Sequence, residues 1–154
     1  MQRTIRAVST RHGFVASFMP KPIDDEAGNG LHVHCSLLHE NGTNVFDDGG
    51  EDGSDLLRYA VAGCLEVLPA SMLLFAPSFN AYRRFQPGNH APTESAWGYD
   101  NRTTAIRIPE SPSAARRLEH RVAGADASPY LVLAAVLAGI WHGIENTLSP
   151  PNPI

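Results

Sequence analysis

Two histidines and a serine at alternating positions could ligate a metal ion or contact phosphate oxygens. In residues 31–37, LHVHCSL, the side chains of His32, His34 and Ser36 fall on one face of a β-strand, and the residues between them are apolar. Imidazole nitrogens and hydroxyl oxygens suit both kinds of ligand. The alternative is a partly solvated strand with hydrogen-bonded histidines, because His is often only half-buried. This strand alone leaves both interpretations open.

Charged residues further along the chain repeat the alternation. Arg107 lies between two isoleucines, and Arg117, Glu119 and Arg121 alternate with residues that can enter a core. Because an unpaired buried cation is unfavourable, arginines that gather on one wall of a sheet indicate an anionic ligand such as phosphate or carboxylate. The competing interpretation is a surface network in which Glu110 and Glu119 pair with arginines. Further arginines that could join this wall are Arg83, Arg84 and Arg102.

These residue types are typical of a site for a nucleoside triphosphate beside a carboxylate substrate. Glu119 and His32 are suited to hold a divalent cation that bridges phosphate oxygens. Arginines would neutralise the charge that develops during phosphoryl transfer. The sequence contains no Walker-type glycine-rich loop and no kinase signature. We therefore expect side chains on a sheet to hold the phosphates.

The alternating segments predict the strands that carry these side chains. We predict strands at residues 13–19, 31–37, 103–108 and 117–122. Asn-Gly at residues 41–42 predicts a hairpin turn. Residues 47–54 are rich in Asp and Gly and predict a mobile surface loop, and their spacing does not fit an EF-hand calcium site. The long segment 77–98 has little periodicity, which is typical of a functional loop.

Apolar residues at helical spacing predict the helices that pack on this sheet. Ser54 or Asp55 can cap the first helix, and Pro69 is expected to interrupt it. Ser128 predicts the start of a second long helix. Its expected core-facing residues are Leu131, Ala134, Leu137, Ala138, Trp141 and Ile144. The predicted fold is α+β, with a curved, mainly antiparallel sheet and helices on its outer face.

The composition limits the classes of function. A chain of 154 residues holds one domain or part of one, and its formal net charge of -4 gives no reason to expect nucleic acid or an anionic membrane as a partner. The N-terminus shows no secretory signal, and the longest apolar run is too short to span a bilayer. Cys35 and Cys64 lack the spacing of a disulfide framework or a zinc site. We therefore expect a reducing, cytoplasmic setting.

Four sequence blocks resemble motifs of the glutamine synthetase family. Residues 18–37 contain FMPKP and GNGLHVHCSL, which is similar to the family's metal- and ATP-binding histidine motif. Residues 80–88, NAYRRFQPG, resemble its glutamate-binding loop, and residues 97–109, WGYDNRTTAIRIP, its phosphate-contacting segment. Residues 117–121, RLEHR, with SPYL at 128–131, resemble its last metal-binding carboxylate and the helix beyond. The blocks occur in family order, so the resemblance is specific.

The resemblance implies an ATP-dependent ligase. In this family ATP phosphorylates the γ-carboxylate of glutamate, and an amine attacks the γ-glutamyl phosphate. By motif, His32 and Glu119 would bind a catalytic Mg²⁺ or Mn²⁺. The residues implied to contact the nucleotide or its phosphates are His34, Ser36, Arg102, Arg107 and Arg117, with catalytic roles for Arg102 and Arg107. Those implied to bind glutamate are Gly28, through its backbone, Arg84 and Arg121.

Two departures from the family pattern concern the acceptor. Glutamine synthetases proper usually have PGYEAP in the glutamate loop, where the Glu helps to shield the site and handle ammonium, whereas residues 87–92 here are PGNHAP. Histidine cannot offer ammonium that carboxylate. The Pro-Asp that usually follows the RxExR run is Ala-Gly at residues 123–124. Both changes resemble the γ-glutamyl-polyamine synthetase branch, so we expect an organic amine acceptor, with ammonia as the alternative.

Residues 1–154 resemble only the middle and late part of the family's catalytic domain. We find no counterpart of the family's N-terminal β-grasp domain, of its further glutamate metal ligands, or of its C-terminal end. In the family, neighbouring subunits of a homo-oligomeric ring complete the active site. We therefore expect this partial catalytic domain to be inactive by itself. The alternative from another class is a non-catalytic structural or regulatory relative.

Overall fold

Four short strands form one sheet. The computed structural model describes residues 1–154, and its strands are β1 (Val33–Cys35), β2 (Trp97–Tyr99), β3 (Ile106–Ile108) and β4 (Leu118–His120). Their order is β1-β4-β3-β2, in which β4 is antiparallel to both neighbours and β2 is parallel to β3. The predicted α+β class and mainly antiparallel pairing are confirmed.

Three α-helices accompany the sheet: α1 (Gln2–Arg11), α2 (Asp55–Phe75) and α3 (Pro129–Glu145). α2 packs along α3 and touches β3. Glycines lie where the two long helices meet, and a Cβ added at Gly143 would collide with the Tyr59 carbonyl and with the backbone of Gly63. The absence of side chains at this contact lets the helix backbones approach closely.

Burial in the strands follows the alternation of the sequence. In residues 31–37, Val33 is buried, whereas His32, His34 and Ser36 are exposed. Both isoleucines of β3 are also buried. The apolar side of the sheet therefore faces the core, and its polar side is left for a site.

α2 continues unbroken through Pro69, so the predicted interruption is wrong. Proline has no N–H to donate to the carbonyl of Leu65, one turn earlier. The Ser95 hydroxyl donates to that carbonyl instead, at 3.4 Å. By length and composition α2 is also the one helix apolar enough to cross a membrane, but it lies in the core against α3 and the sheet.

Residues 13–19 do not form the predicted strand. They have no regular secondary structure, and Phe14 and Val15 are 70% and 96% exposed. A strand needs a neighbour for its backbone hydrogen bonds, and none of the four strands pairs with this segment. The helix α1, which precedes it and buries no side chain, was not predicted.

The predicted core face of α3 is wrong. Of the six residues expected there, only Ile144 is partly buried, and Trp141 is 64% exposed. The buried residues are Val132, Ala135, Val136, Gly139, Ile140 and Gly143. Because α3 carries apolar residues on every side, periodicity does not select a face, and close packing on α2 selects the side that carries the glycines.

The loops match their predictions in part. Leu38 and Asn44 form an isolated antiparallel bridge across the predicted Asn-Gly turn. Residues 47–54 form a mostly exposed surface loop. The segment 77–98 is irregular apart from a 3₁₀-helix, Phe79–Arg84, and the start of β2. This segment lies against the sheet and supplies part of the candidate site described next.

Candidate active site

Glu119 lies at the centre of the polar side of the sheet. It is on β4, between β1 and β3, where His34 and Arg107 are its register partners. Residues directly opposite on neighbouring strands point to the same face. The register therefore explains why side chains that are far apart in the sequence form one row.

The Glu119 carboxylate is shared by two arginines and a histidine. Its Oε2 accepts from Arg107 Nη1 at 3.0 Å, and its Oε1 accepts from Arg121 Nη1 at 2.7 Å. The Nδ1 of His32 lies 3.0 Å from Oε1, and the Nε2 of His34 lies 3.8 Å from the same atom. The acid therefore pairs with arginines, as the competing interpretation expected of Glu119, while it also faces both histidines.

The charges around Glu119 determine its ionisation and that of His32. Burial raises the pKa of Glu119, but Arg121 and Arg107 lower it by more, so the pKa lies below its usual value. Burial also lowers the pKa of His32, and Arg121 acts in the same direction. At neutral pH an ionised carboxylate therefore lies beside a neutral imidazole.

These two groups fit as part of a cation site. A carboxylate oxygen and a neutral imidazole nitrogen are both donors for Mg²⁺ or Mn²⁺, and at 3.0 Å apart they converge on one point of the wall. No group of three or more His, Cys, Asp or Glu side chains is arranged to hold a metal ion. The chain therefore offers a pair of ligands and not a complete coordination shell.

Two arginines of the cluster have hydrogen-bonding capacity left over. The Nε atoms of Arg107 and Arg121 are buried and have no hydrogen-bond partner. Buried donors without a partner are rare in proteins. Their presence in one cluster fits a wall that receives an anion.

A cavity of about 160 Å³ adjoins this wall. Gly28, Arg84 and Arg121, the three residues implied to bind glutamate, line it together with His32. A Cβ at Gly28 would lie 2.7 Å from the carbonyl of Pro20, so the backbone approaches closely at this position. Two arginines and a glycine backbone around one small cavity suit an amino-acid carboxylate.

Arg84 is held firmly in this cavity. It is only 4% exposed, and its Nη1 donates to the carbonyl of Val122 at 2.9 Å. Burial lowers the pKa of Arg84 from its usual high value, and Asp126 opposes this effect. The guanidinium lies at the cavity wall with part of its donor set still free for a ligand.

Of the remaining residues from the sequence analysis, some contact this cluster and others do not. The Nε of Arg117 donates to His34 Nδ1 at 3.2 Å, which joins it to the same wall. Ser36 and Arg102 are exposed, and neither side chain has a hydrogen-bond partner. Only the carbonyl of Arg102 contacts the cluster, because it accepts from Arg121 Nη2 at 3.0 Å.

Sequence reasoning missed two residues that shape the site. Asp100 forms an ion pair with Arg107. Lys21, the only lysine of the chain, is 3% exposed and donates to the carbonyl of Glu26 and, at 3.2 Å, to Asn89 Oδ1. Lys21 thereby ties the loop that carries His90 to the cavity. A single lysine between two prolines, beside a glycine-rich turn, was the available signal.

Comparison with known proteins identifies the family. All 154 residues match the family model for the glutamine synthetase catalytic domain. The chain belongs to the glutamine synthetase family. The family resemblance drawn from its motifs is therefore confirmed. Its link to synthetases of γ-glutamyl amines is confirmed by the first two relatives below.

Several relatives in the glutamine synthetase family make different products. The chain is 47% identical over 148 residues to the γ-glutamylputrescine synthetase of Escherichia coli K12, and 41% identical over 148 residues to the γ-glutamylethanolamide synthetase of Streptomyces coelicolor. These alignments cover 96% of this chain and 31% of each relative. It is also 41% identical over 152 residues to a glutamine synthetase of Thermococcus kodakarensis, covering 98% of this chain and 34% of that protein. The chain thus spans about a third of these relatives' length.

Proposed function

We propose that this chain forms part of an ATP-dependent ligase that joins the γ-carboxylate of glutamate to an amine through a γ-glutamyl phosphate. The observation that carries the proposal is that Gly28, Arg84, Arg121 and His32 line one cavity. Glu119 lies beside it, paired with His32 and Arg121. Family membership supports the same class of reaction. The arrangement combines a binding place for a carboxylate substrate with a pair of cation ligands.

The cavity residues would bind and orient glutamate. Arg84 and Arg121 are each only 4% exposed, so water competes little with a carboxylate for their guanidinium groups. Gly28 lets the backbone approach the substrate without a side chain in the way. Together they would hold the γ-carboxylate toward Glu119 and the phosphate-binding side of the wall.

The sheet side chains would receive the nucleotide. His32 and Glu119 would hold Mg²⁺ or Mn²⁺, which would neutralise negative charge on the phosphates when bound. Arg107 and Arg102 would neutralise charge on the phosphoryl group during transfer. The residues that would contact the rest of the nucleotide are His34, Ser36 and Arg117.

We propose an organic amine as the acceptor. His90 lines the cavity at the position where ordinary glutamine synthetases have a Glu. An imidazole has no carboxylate with which to neutralise ammonium, whereas larger amines can use apolar contacts. Relatives named for putrescine and ethanolamide products support this choice. Turnover with ammonia but with no diamine or polyamine would contradict it and favour an ordinary glutamine synthetase.

Assembly and location belong to the same proposal. A homo-oligomeric ring, as in the family, would complete the active site between neighbouring subunits, and we expect the chain by itself not to turn over. Both cysteines are free thiols, which supports a reducing cytoplasmic setting.

Nucleotide binding tests the proposed site directly. Calorimetry with ATP should show binding by this chain that requires Mg²⁺ or Mn²⁺ and that falls at least about tenfold in a His32→Asn, Glu119→Gln double variant. His39→Asn, on the exposed hairpin, is the matched control and should bind like the parent. Equal affinity in the double variant would contradict the site as described. No binding by a folded parent chain would mean that the further carboxylates or the neighbouring subunit of the family are indispensable for binding.

A further inference from the structure

Arg107 is held between two carboxylates. Its Nη1 donates to Glu119 Oε2 at 3.0 Å, and its Nη2 donates to Asp100. Its third donor, Nε, is buried and has no partner. The Arg107 side chain is 13% exposed, so this guanidinium meets its ligands with little competition from water.

The hydrogens of Nε and Nη2 point to the same edge of a guanidinium. Planar, bidentate recognition of a phosphate uses two parallel donors of this kind. On Arg107 one half of the edge is free and the other half is occupied by Asp100. A phosphate can therefore take the whole edge only if the Asp100 carboxylate leaves it.

The two carboxylates differ in their freedom to leave. The Glu119 side chain is 3% exposed and has further partners, whereas the Asp100 side chain is 54% exposed. The backbone of Asp100 is fixed, because its N–H donates to the carbonyl of Ile108 at 2.9 Å and its φ is +47°. Only the side chain of Asp100 has room to turn toward solvent.

We propose that Asp100 is a gate on Arg107. The Asp100 carboxylate must swing away before phosphate oxygens bind the Nε–Nη2 edge of Arg107. This inference rests on the proposed function, which assigns phosphate to Arg107. The carboxylate keeps the guanidinium neutralised and oriented until a more highly charged anion replaces it. A triphosphate, with several charged oxygens, is the class of ligand able to make this exchange.

The Asp100→Asn variant tests the gate. Asparagine tolerates the left-handed backbone of this position, so the substitution removes the charge and keeps the turn. With tripolyphosphate as probe, without metal and at fixed ionic strength, calorimetry should show about tenfold tighter binding to Asp100→Asn, because a charge-assisted hydrogen bond no longer has to be displaced. In an Arg107→Gln background, Asp100→Asn should have no effect.

Glu110→Gln is the matched control for charge. Glu110 is an exposed carboxylate in the same groove as Asp100, and it forms no ion pair with Arg107. This variant should change the affinity less than about twofold. Four results would each overturn the gate. Two concern the gain in affinity for tripolyphosphate: an equal gain in Asp100→Asn and Glu110→Gln, or a gain that persists without Arg107. The other two are weaker binding by Asp100→Asn and no binding by any variant. These outcomes are independent of whether ATP binds through metal at His32 and Glu119.

Discussion

At the scale of single residues, two buried neighbours on β4 differ in their charge. Glu119 is 2% exposed and stays ionised because arginines surround it. His120 is 1% exposed, lies 4.5 Å from the ring of Phe75 between centroids, and has no partner for its Nδ1. Burial therefore lowers the pKa of His120 to about 4. One strand thus presents a fixed charge to the site and a neutral ring to the core.

The low pKa of His120 predicts a pH dependence of stability. An unfolded histidine binds its proton near pH 6.5, whereas folded His120 binds it only near pH 4. Between these values the unfolded state holds more protons, so the free energy of unfolding should fall as the pH is lowered from 6.5 to 4, by at most about 3 kcal/mol. Urea unfolding at a series of pH values measures this slope.

His120→Leu should remove this contribution, because it replaces a buried polar ring without a partner by an apolar side chain. His39→Leu, at an exposed position of the hairpin, should keep the slope of the parent. If His120→Leu loses stability between pH 6.5 and 4 as steeply as the parent, His120 is not the group responsible.

At this scale the sequence predicted most of the residues that the structure brings together on this wall, and physical reasons explain what it missed. The two-residue period of strands correctly placed His32, Arg107 and Glu119 on one wall. It could not predict the ion pair of Asp100 with Arg107, in which Asp100 has a left-handed backbone. Nor could it predict the link from Lys21 to Asn89, which joins positions 68 residues apart.

At the scale of elements, α2 shows how one side chain compensates for a proline. Pro69 leaves the carbonyl of Leu65 without its helical partner, and Ser95 Oγ donates to it at 3.4 Å. Ser95 belongs to the irregular segment that reaches the cavity. The continuous helix and the loop of the site are therefore joined at this point.

This contact predicts a specific coupling. Ser95→Ala should lower the free energy of unfolding by about 1 kcal/mol, because it leaves the Leu65 carbonyl without a donor. In a Pro69→Ala background the same substitution should have almost no effect, since the backbone N–H restored by that change donates to the carbonyl. Denaturant unfolding of the four proteins of this double-mutant cycle gives the coupling energy. Equal effects of Ser95→Ala in both backgrounds would contradict the compensation.

Elements were predicted well where a polar side opposed an apolar side. The strands at β1, β3 and β4 follow this rule. α3 is apolar on all sides, so its buried face depended on the glycine contact with α2. Residues 13–19 have the composition of a strand, but no neighbour pairs with them.

At the scale of the whole molecule, the chain provides one wall of a site. Three strands and the loops around Gly28 and His90 bring together carboxylate-binding arginines and two cation ligands. A second place on the molecule could attract cations by charge alone, the acidic loop at residues 47–54. If the wall is the cation site, His32 and Glu119, and not this loop, bind the metal in the presence of nucleotide.

Paramagnetic broadening by Mn²⁺ distinguishes the two places most directly. NMR of the labelled chain with ATP should show the imidazole resonances of His32 broadening first at substoichiometric Mn²⁺, while those of His12 and His39 stay sharp. This result would place the cation beside Glu119 on the wall of the cavity. Broadening confined to residues 47–54, with an unchanged His32, would contradict the central claim.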